Sequence, residues 1–256
     1  MSEWVVLAIA MAAACVIVIA VVVLQQRRVG EDDDPSETPD VIEYMAMMIG
    51  VIYAIVLGLA ISGVWEARNT AQDNAFNEAQ ALHEMSARAQ VYPAAVRDQV
   101  RTDIDAYVTY VVDTEWPHMR EHGALSPRGA ELLGKVRHDV TTRVPQSDLE
   151  SQTYQSMVDL VAEADEARNI RGQNTGPTMP GLVWFGLIAG AVVTVGMIFT
   201  LQIRRSAREL LLAGAFSALI AFLLFLIWDF DDPFTRGLGV TTQPFLDLFP
   251  SLGLPR

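Results

Sequence analysis

The sequence is 256 residues long and 51% apolar, yet it has a net charge of −13. Because a soluble domain this apolar rarely has so much charge, we expect the two kinds of residue to be segregated along the chain. The acidic balance excludes nucleic acid as a main partner and disfavours anionic lipid surfaces, since both need clusters of Lys and Arg. The single cysteine, Cys15, can form no intrachain disulfide, so the fold does not depend on an oxidising compartment.

Four apolar stretches are long enough to cross a bilayer as helices, because hydrocarbon about 30 Å thick takes about 20 apolar residues. They are Trp4–Leu24, Tyr44–Trp65, Gly181–Ile203 and Leu210–Trp228. Their interiors contain no Asp, Glu, Lys, Arg or His, the residues that pumps and ion-coupled carriers place within spans. The sequence therefore predicts a multi-pass cell-membrane protein, whose spans either form a pore gated by apolar rings or serve as an anchor.

The N-terminal part combines a span with an acidic linker. We predict that Trp4–Leu24 is an uncleaved span, because a signal peptide has a basic start and a shorter apolar core. The linker Gln25–Glu43 contains the acidic run Glu31–Asp34. This run lacks the ligand spacing and the glycine turn of a calcium loop, so we predict a solvated hinge without a metal.

The second span continues into a polar helical pattern. Tyr44–Trp65 has no charged residue, and no proline separates it from Glu66–Tyr92. We therefore predict one unbroken helix that begins in lipid and ends in water. Three more amphipathic helices follow. The first covers Ala94–Trp116 and is predicted to end at Pro117, the second runs from Ser126-Pro127 to before Pro145, and the third covers Asp148–Arg171. Together they predict a soluble four-helix bundle.

The predicted fold is all-α, with four transmembrane helices and a soluble bundle between the second and third. The predicted parts are residues 1–43 (first span and linker), 44–65 (second span), 66–180 (bundle), 181–228 (third and fourth spans) and 229–256 (tail).

Basic residues near the span ends favour one orientation in the membrane. The two short connections contain Arg27, Arg28, Arg204, Arg205 and Arg208. The flanks on the other side contain Arg68, Arg168, Arg171 and Arg236, spread over many more residues. By the positive-inside rule, this density places the short connections inside and the bundle outside.

Two motifs associated with catalysis are incomplete. His118, Glu121 and His122 fit the H-x-x-E-H pattern of one zinc peptidase class. Pro117 and Gly123 leave room for only one helical turn, and no third ligand segment follows, so we predict a polar corner and no metal. Residues 129–136 approach a phosphate loop, but a valine replaces the Ser or Thr that would hold Mg²⁺. We predict neither an enzyme nor a bound cofactor.

The end of the fourth span combines aromatic and acidic residues. Trp228–Phe234 contains Asp229, Asp231 and Asp232. We predict an interfacial anchor, with aromatic rings at the headgroups and carboxylates in water. The alternative is a cap on the pore or on the bundle.

Three further stretches share features with a known family. They are Val56–Glu66, with Gly58, Trp65 and Glu66; Tyr107 with Glu115, Trp116 and Pro117; and Asp229–Phe245, with Asp229, Asp232, Pro233 and Phe234. Together they resemble the bestrophin-like domain family of uncharacterised bacterial membrane proteins. The resemblance extends over residues 40–250.

The resemblance implies a channel. Bestrophins are pentameric anion channels with four spans, a cytosolic helical part and a neck of small and apolar residues in the second span. Carried over, the neck would include Ile52, Ile55, Val56 and Leu59. The chain departs from bestrophins at Thr235-Arg236, where they have glycine, and it lacks their calcium-binding acidic run, so calcium gating is not implied. A cytosolic helical part also conflicts with the orientation favoured by charge.

Two functions therefore stay open. The first is a homo-oligomeric ion channel with an apolar neck, with inorganic anions as the expected ions. The second is a structural or signalling protein that membrane lipid holds in place while its bundle binds a partner.

Overall fold

The computed structural model of the chain describes Val5 and residues 40–200, 207–236 and 239–254. Within these residues the protein is all-helical, without a strand, which confirms the predicted all-α class. Apart from Val5, the predicted first span Trp4–Leu24 lies outside the described residues, as does most of the linker Gln25–Glu43.

The described helices are labelled here in chain order. They are α1 (Asp40–Arg88), α2 (Ala94–Tyr110), α3 (Trp116–His122), α4 (Pro127–Thr141), α5 (Asp148–Gln173), α6 (Gly181–Thr200), α7 (Ala207–Phe230) and α8 (Gln243–Leu248). Short 3₁₀ turns cover Ala89–Val91 and Pro250–Leu252, and a π-helical turn covers Val111–Glu115.

Helix α1 is 49 residues long and passes through Trp65 without a break, as the sequence predicts. It ends at Arg88, and a short 3₁₀ turn leads to Pro93. The helix cannot continue there, because the residue before a proline disfavours the helical conformation. Tyr92 accordingly has the extended backbone angles φ −82° and ψ 157°, directly before Pro93.

The prediction that a helix ends at Pro117 is wrong. The chain passes from α2 through the π-helical turn into α3, and Pro117 occupies the first turn of α3. The Trp116 N–H donates to the Val111 carbonyl, five residues back. Proline has no N–H and its ring crowds the carbonyl four residues before it, so one wider turn lets the helix continue. The helix ends instead at Gly123, whose φ of +62° suits a glycine.

Capping residues fix the starts of the next two helices. Ser126 caps α4 by accepting a hydrogen bond from the Gly129 N–H, and Pro127 follows in the first turn, as predicted. Ser147 caps α5 in the same way by accepting from the Glu150 N–H. A serine at this position satisfies one of the free N–H groups of the first turn.

The chain divides into two compact units. The first comprises Met1–Trp65 and Met179–Asp231, and the second comprises Glu66–Thr178 and Asp232–Arg256. The core of the first unit joins α1 to α6 and α7 through Tyr53, Leu57, Ala60, Val64, Leu187, Ala191, Ile220, Ile227 and Phe230. In the second unit, α2, α4, α5 and the later part of α1 pack around one larger core.

Two of the described helices are long and apolar enough to cross a membrane, by length and composition. The apolar windows lie in Tyr44–Val91 and Leu211–Phe230, and the shorter apolar helix Gly181–Met197 falls below that length. The predicted spans Gly181–Ile203 and Leu210–Trp228 correspond to α6 and α7.

Candidate functional site

One face of α1 in the first unit packs against other helices. Tyr53, Leu57, Ala60 and Val64 recur at spacings of four and three and are all buried. The Tyr53 hydroxyl donates to the Leu187 carbonyl at 3.1 Å. This close approach requires Gly190, since a Cβ there would lie 2.6 Å from two Tyr53 ring carbons.

Outside this face, much of the α1 surface in the first unit is apolar and exposed. The four predicted neck residues lie there, with Ile52 59% exposed, Ile55 58%, Val56 45% and Leu59 69%. Gly58 has open space around its Cα, and Glu66 is exposed. Exposed large apolar side chains at this density mark a surface that lipid or protein covers.

The carboxylates at the end of α7 are inside the protein, and not in water as the sequence predicts. In the first unit, Asp229 and Asp231 are buried. Asp231 accepts hydrogen bonds from the Met179 N–H at 2.7 Å and from the Trp184 Nε1 at 3.0 Å. A carboxylate that accepts N–H donors from a neighbouring segment no longer needs water. Asp231 therefore links the end of α7 to the start of α6 by hydrogen bonds.

Two aromatic residues of this region, Phe230 and Phe234, are also buried. Trp65 meets Phe230 edge to face, with ring centroids 5.3 Å apart. In the second unit, Asp232, Pro233 and Phe234 are buried, and Asp232 accepts from the Thr235 N–H at 3.3 Å. The interfacial-anchor prediction is therefore wrong for these carboxylates, because they lie inside the protein.

A buried ionic network lies in the core of the second unit. Arg171 of α5 grips Glu78 of α1 with two parallel hydrogen bonds, Nε to Oε2 at 2.8 Å and Nη2 to Oε1 at 2.9 Å. The same Nη2 donates to Glu115 Oε1 at 3.0 Å. Such a forked geometry is the strongest arrangement available to a guanidinium and a carboxylate.

The other half of the network is built around Glu115, on the π-helical turn. Its Oε2 accepts from Arg168 Nη2 at 2.7 Å and from the Ser126 hydroxyl at 3.0 Å. Arg168 Nη2 also donates to the Ser126 carbonyl at 3.0 Å. Ser126 is the cap of α4, so the network joins three helices and the π-helical turn.

Tyrosine, tryptophan and methionine side chains surround the four charges. The Tyr107 hydroxyl donates to Glu78 Oε1 at 2.5 Å. Arg171 donates to the Met119 sulfur, and its guanidinium carbon lies 5.2 Å from the centre of the Trp116 ring. Trp116 meets Phe234 edge to face at 5.6 Å. Two of the stretches that carry the resemblance therefore meet within the second unit.

The charges of the network balance, and every carboxylate oxygen in it accepts a hydrogen bond. Two carboxylates face two guanidiniums, all four side chains are buried, and each carboxylate oxygen accepts at least one hydrogen bond. Burial raises the pKa of Tyr107 well above its ordinary value, with the Glu78 charge adding to the effect, so the phenol stays neutral. Such an arrangement holds helices together and offers no free base for catalysis.

Sequence reasoning found Glu115 but missed its partners. Glu78 lies within the apolar stripe that contains Ala75, Ala79 and Leu82. A charged residue inside such a stripe indicates a buried charge that needs a partner. By sequence alone, Arg168 and Arg171 count among the charges that orient the spans. The structure buries both in the second unit, so neither is a free charge at a membrane surface.

We expect Gly129→Ala to destabilise the protein by about 1–3 kcal/mol, the range typical of overpacking. A Cβ at Gly129 would collide with Glu115 Oε2 and would lie 2.7 Å from Arg168 Nη2. Both side chains are fixed by the network and cannot move away without losing a hydrogen bond. Thermal unfolding in detergent measures the change.

Gly134→Ala is the matched control, on the same helix. A Cβ at Gly134 meets no atom within 4 Å, so alanine adds only helix propensity. We expect a gain of about 0.5–1 kcal/mol. Equal losses for the two variants would mean that the space beside Glu115 does not matter.

We expect the protein to lose stability as pH falls below the ordinary Glu115 pKa of 4.5. Burial alone would raise the pKa of Glu115, but Arg171 and Arg168 outweigh it and lower the pKa in the folded state. A lowered folded pKa adds stability above the unfolded value, and this is lost as pH falls through the folded value.

Glu115→Gln tests this pH dependence. The variant begins from a lower stability, and we expect it to lose less stability on acidification from about pH 6 to about pH 3. Glu131→Gln is the control, because Glu131 forms an exposed ion pair with Arg128 at 2.8 Å. Parallel pH profiles for the Glu115 variant and the unchanged protein would contradict the prediction.

Comparison with known proteins agrees with this all-helical fold and its apolar helices. The profile of the bestrophin-like domain matches residues 12–245, and the chain therefore belongs to the bestrophin-like family. No curated protein sequence matches significantly.

Several solved structures share the fold. A bacterial bestrophin homolog from Klebsiella pneumoniae, solved by Zn-SAD phasing, superimposes with a TM-score of 0.65 at 13% identity, covering 98% of each chain. An isoleucine-to-threonine mutant of such a homolog gives 0.67 at 12% identity, over 96% of this chain and 98% of that one. A proline-to-alanine variant of a membrane protein also gives 0.67 at 12% identity, over 97% of this chain and 99% of that one.

Proposed function

We propose that this chain is the subunit of a homo-oligomeric ion channel in the cell membrane. It has four transmembrane helices, and the soluble helical bundle lies between the second and third. The sequence predicts the first span within residues 4–24, and α1, α6 and α7 would supply the others. The family membership and the apolar, exposed sides of α1, α6 and α7 support this topology.

The observation that carries the proposal is the two-sided character of α1. One face packs against α6 and α7, whereas Ile52, Ile55, Val56 and Leu59 lie outside that face and are largely exposed within the part of the chain that the structure describes. A ring of copies would bring these faces together around an axis. The neck would then be apolar and would gate by excluding water.

Inorganic anions are the proposed ions, because bestrophins conduct anions. The test uses the purified full-length chain in liposomes, with chloride flux and reversal potential as readouts. We expect flux that protein-free liposomes lack, and a reversal potential close to that of chloride. A reversal potential close to that of the cation would support the proposal of a channel but contradict the proposal that it conducts anions.

The alternative is a non-conducting protein whose bundle binds a partner. The compact core and paired charges of the second unit favour an independently stable module. Crosslinking separates the two proposals, since a channel gives one closed ring of fixed subunit number. A monomer without flux would favour the alternative.

A further inference from the structure

The turn that ends at Gly123 places two histidines side by side. His118 and His122 are four residues apart on α3, so they project from one face of the helix. Their rings stack with centroids 4.3 Å apart and an interplanar angle of 21°. Two imidazoles at this spacing are a chelating pair, as in helical zinc motifs with histidines at positions i and i+4.

The hydrogen bond made by His122 Nδ1 leaves the other ring nitrogen, Nε2, available to bind a metal. Its Nδ1 lies 3.2 Å from the His118 carbonyl, which can only accept, so Nδ1 carries the proton. In a neutral ring this leaves the lone pair on Nε2. Metal-binding histidines commonly donate their other N–H to a carbonyl in this way, which fixes the ring orientation.

The turn that holds the two rings is anchored to the core of the second unit. Trp116 and Met119 are buried in the core of the second unit, on the other side of the same helix. The Gly123 N–H donates to the Met119 carbonyl at 2.9 Å, and the Gly123 carbonyl accepts from the Thr175 hydroxyl at 2.7 Å. A pre-ordered pair loses little conformational entropy when it binds an ion.

We propose that His118 and His122 form a surface site for one divalent transition-metal ion, of the class of Zn²⁺, Ni²⁺ or Cu²⁺. Two imidazoles suit these ions, whereas Mg²⁺ and Ca²⁺ prefer oxygen ligands. Bound at about 2.0–2.1 Å, the two nitrogens would be roughly 3 Å apart, so the rings must turn out of their stacked arrangement to direct both lone pairs at one ion. The site has two protein ligands, one fewer than a zinc peptidase centre, and water would complete the coordination. It does not depend on the proposed channel.

The test is Cu²⁺ binding to the tag-free full-length protein in detergent, followed by electron paramagnetic resonance. We expect one ion per chain with a two-nitrogen signature, displaced by excess Zn²⁺ and retained in excess Mg²⁺. His118→Gln and His122→Gln should each lower the affinity by at least about tenfold. Both histidines lie outside the core, so the apo variants should unfold at the same temperature as the unchanged protein.

His138→Gln is the matched control. His138 is exposed on α4, whereas His83, the other remaining histidine, packs against Phe249 at 5.8 Å. We expect His138→Gln to leave the affinity unchanged. A one-nitrogen signature, or equal losses for the variants at 118 and 138, would overturn the site.

Discussion

Arg171→Met is expected to lower the midpoint of thermal unfolding by on the order of 10 °C, one of the two largest effects expected here. The substitution keeps much of the side-chain volume but leaves Glu78 and Glu115 without their shared cation in a buried site. Removing one partner of a buried ion pair costs about 3–5 kcal/mol, and each kcal/mol lowers the midpoint by about 2–4 °C in a protein this size. Unfolding in detergent, followed by tryptophan fluorescence, measures the change.

Two comparison variants separate the buried charge from a general effect of losing arginine. Arg137 pairs with Asp165 at 2.7 Å at the surface, where the side chains are 47% and 35% exposed. Arg137→Met should cost less than about 1 kcal/mol, as exposed ion pairs do. Adding Glu78→Gln to Arg171→Met should restore part of the loss, because the uncompensated carboxylate is then gone while Glu115 keeps its pair with Arg168. Equal losses for Arg137→Met and Arg171→Met would refute the argument.

Local patterns predicted the elements whose causes are local. The uncharged run before Trp65 and the absence of proline after it predicted the unbroken α1. Ser126-Pro127 predicted the start of α4 through the geometry of a helix cap. Pro117 was misinterpreted for the same reason, because a local rule says that proline ends a helix. The π-helical turn is the exception that lets the chain continue past it.

Contacts between distant residues could not be predicted in this way. Glu78 and Arg171 are 93 residues apart, and nothing in the spacing of either helix identifies the other as its partner. The same is true of Asp231, whose donors on Met179 and Trp184 lie about 50 residues earlier. An acidic residue beside an apolar stretch normally suggests water, and only the fold reveals that N–H groups replace it.

The other large expected effect concerns the exposed face of α1 and rests on the proposed channel. Leu59→Ser should raise ion flux through reconstituted protein by roughly tenfold to a hundredfold. In an apolar neck the barrier is the cost of wetting it, and a hydroxyl lowers that cost by about 1–3 kcal/mol. Each 1.4 kcal/mol removed from a barrier raises a rate by about tenfold. Stopped-flow flux in liposomes, normalised to the amount of inserted protein, measures the change.

Leu219→Ser is the matched control, because it makes the same chemical change at a residue 53% exposed on α7. If α7 faces lipid and α1 faces the axis, only the α1 variant should conduct more. Equal increases would indicate a leak caused by any polar residue in the membrane. No increase for Leu59→Ser in a protein that does conduct would mean that another surface lines the pore. Both helices carry exposed apolar residues, and flux distinguishes them because only a residue at the axis controls water in the path of the ions.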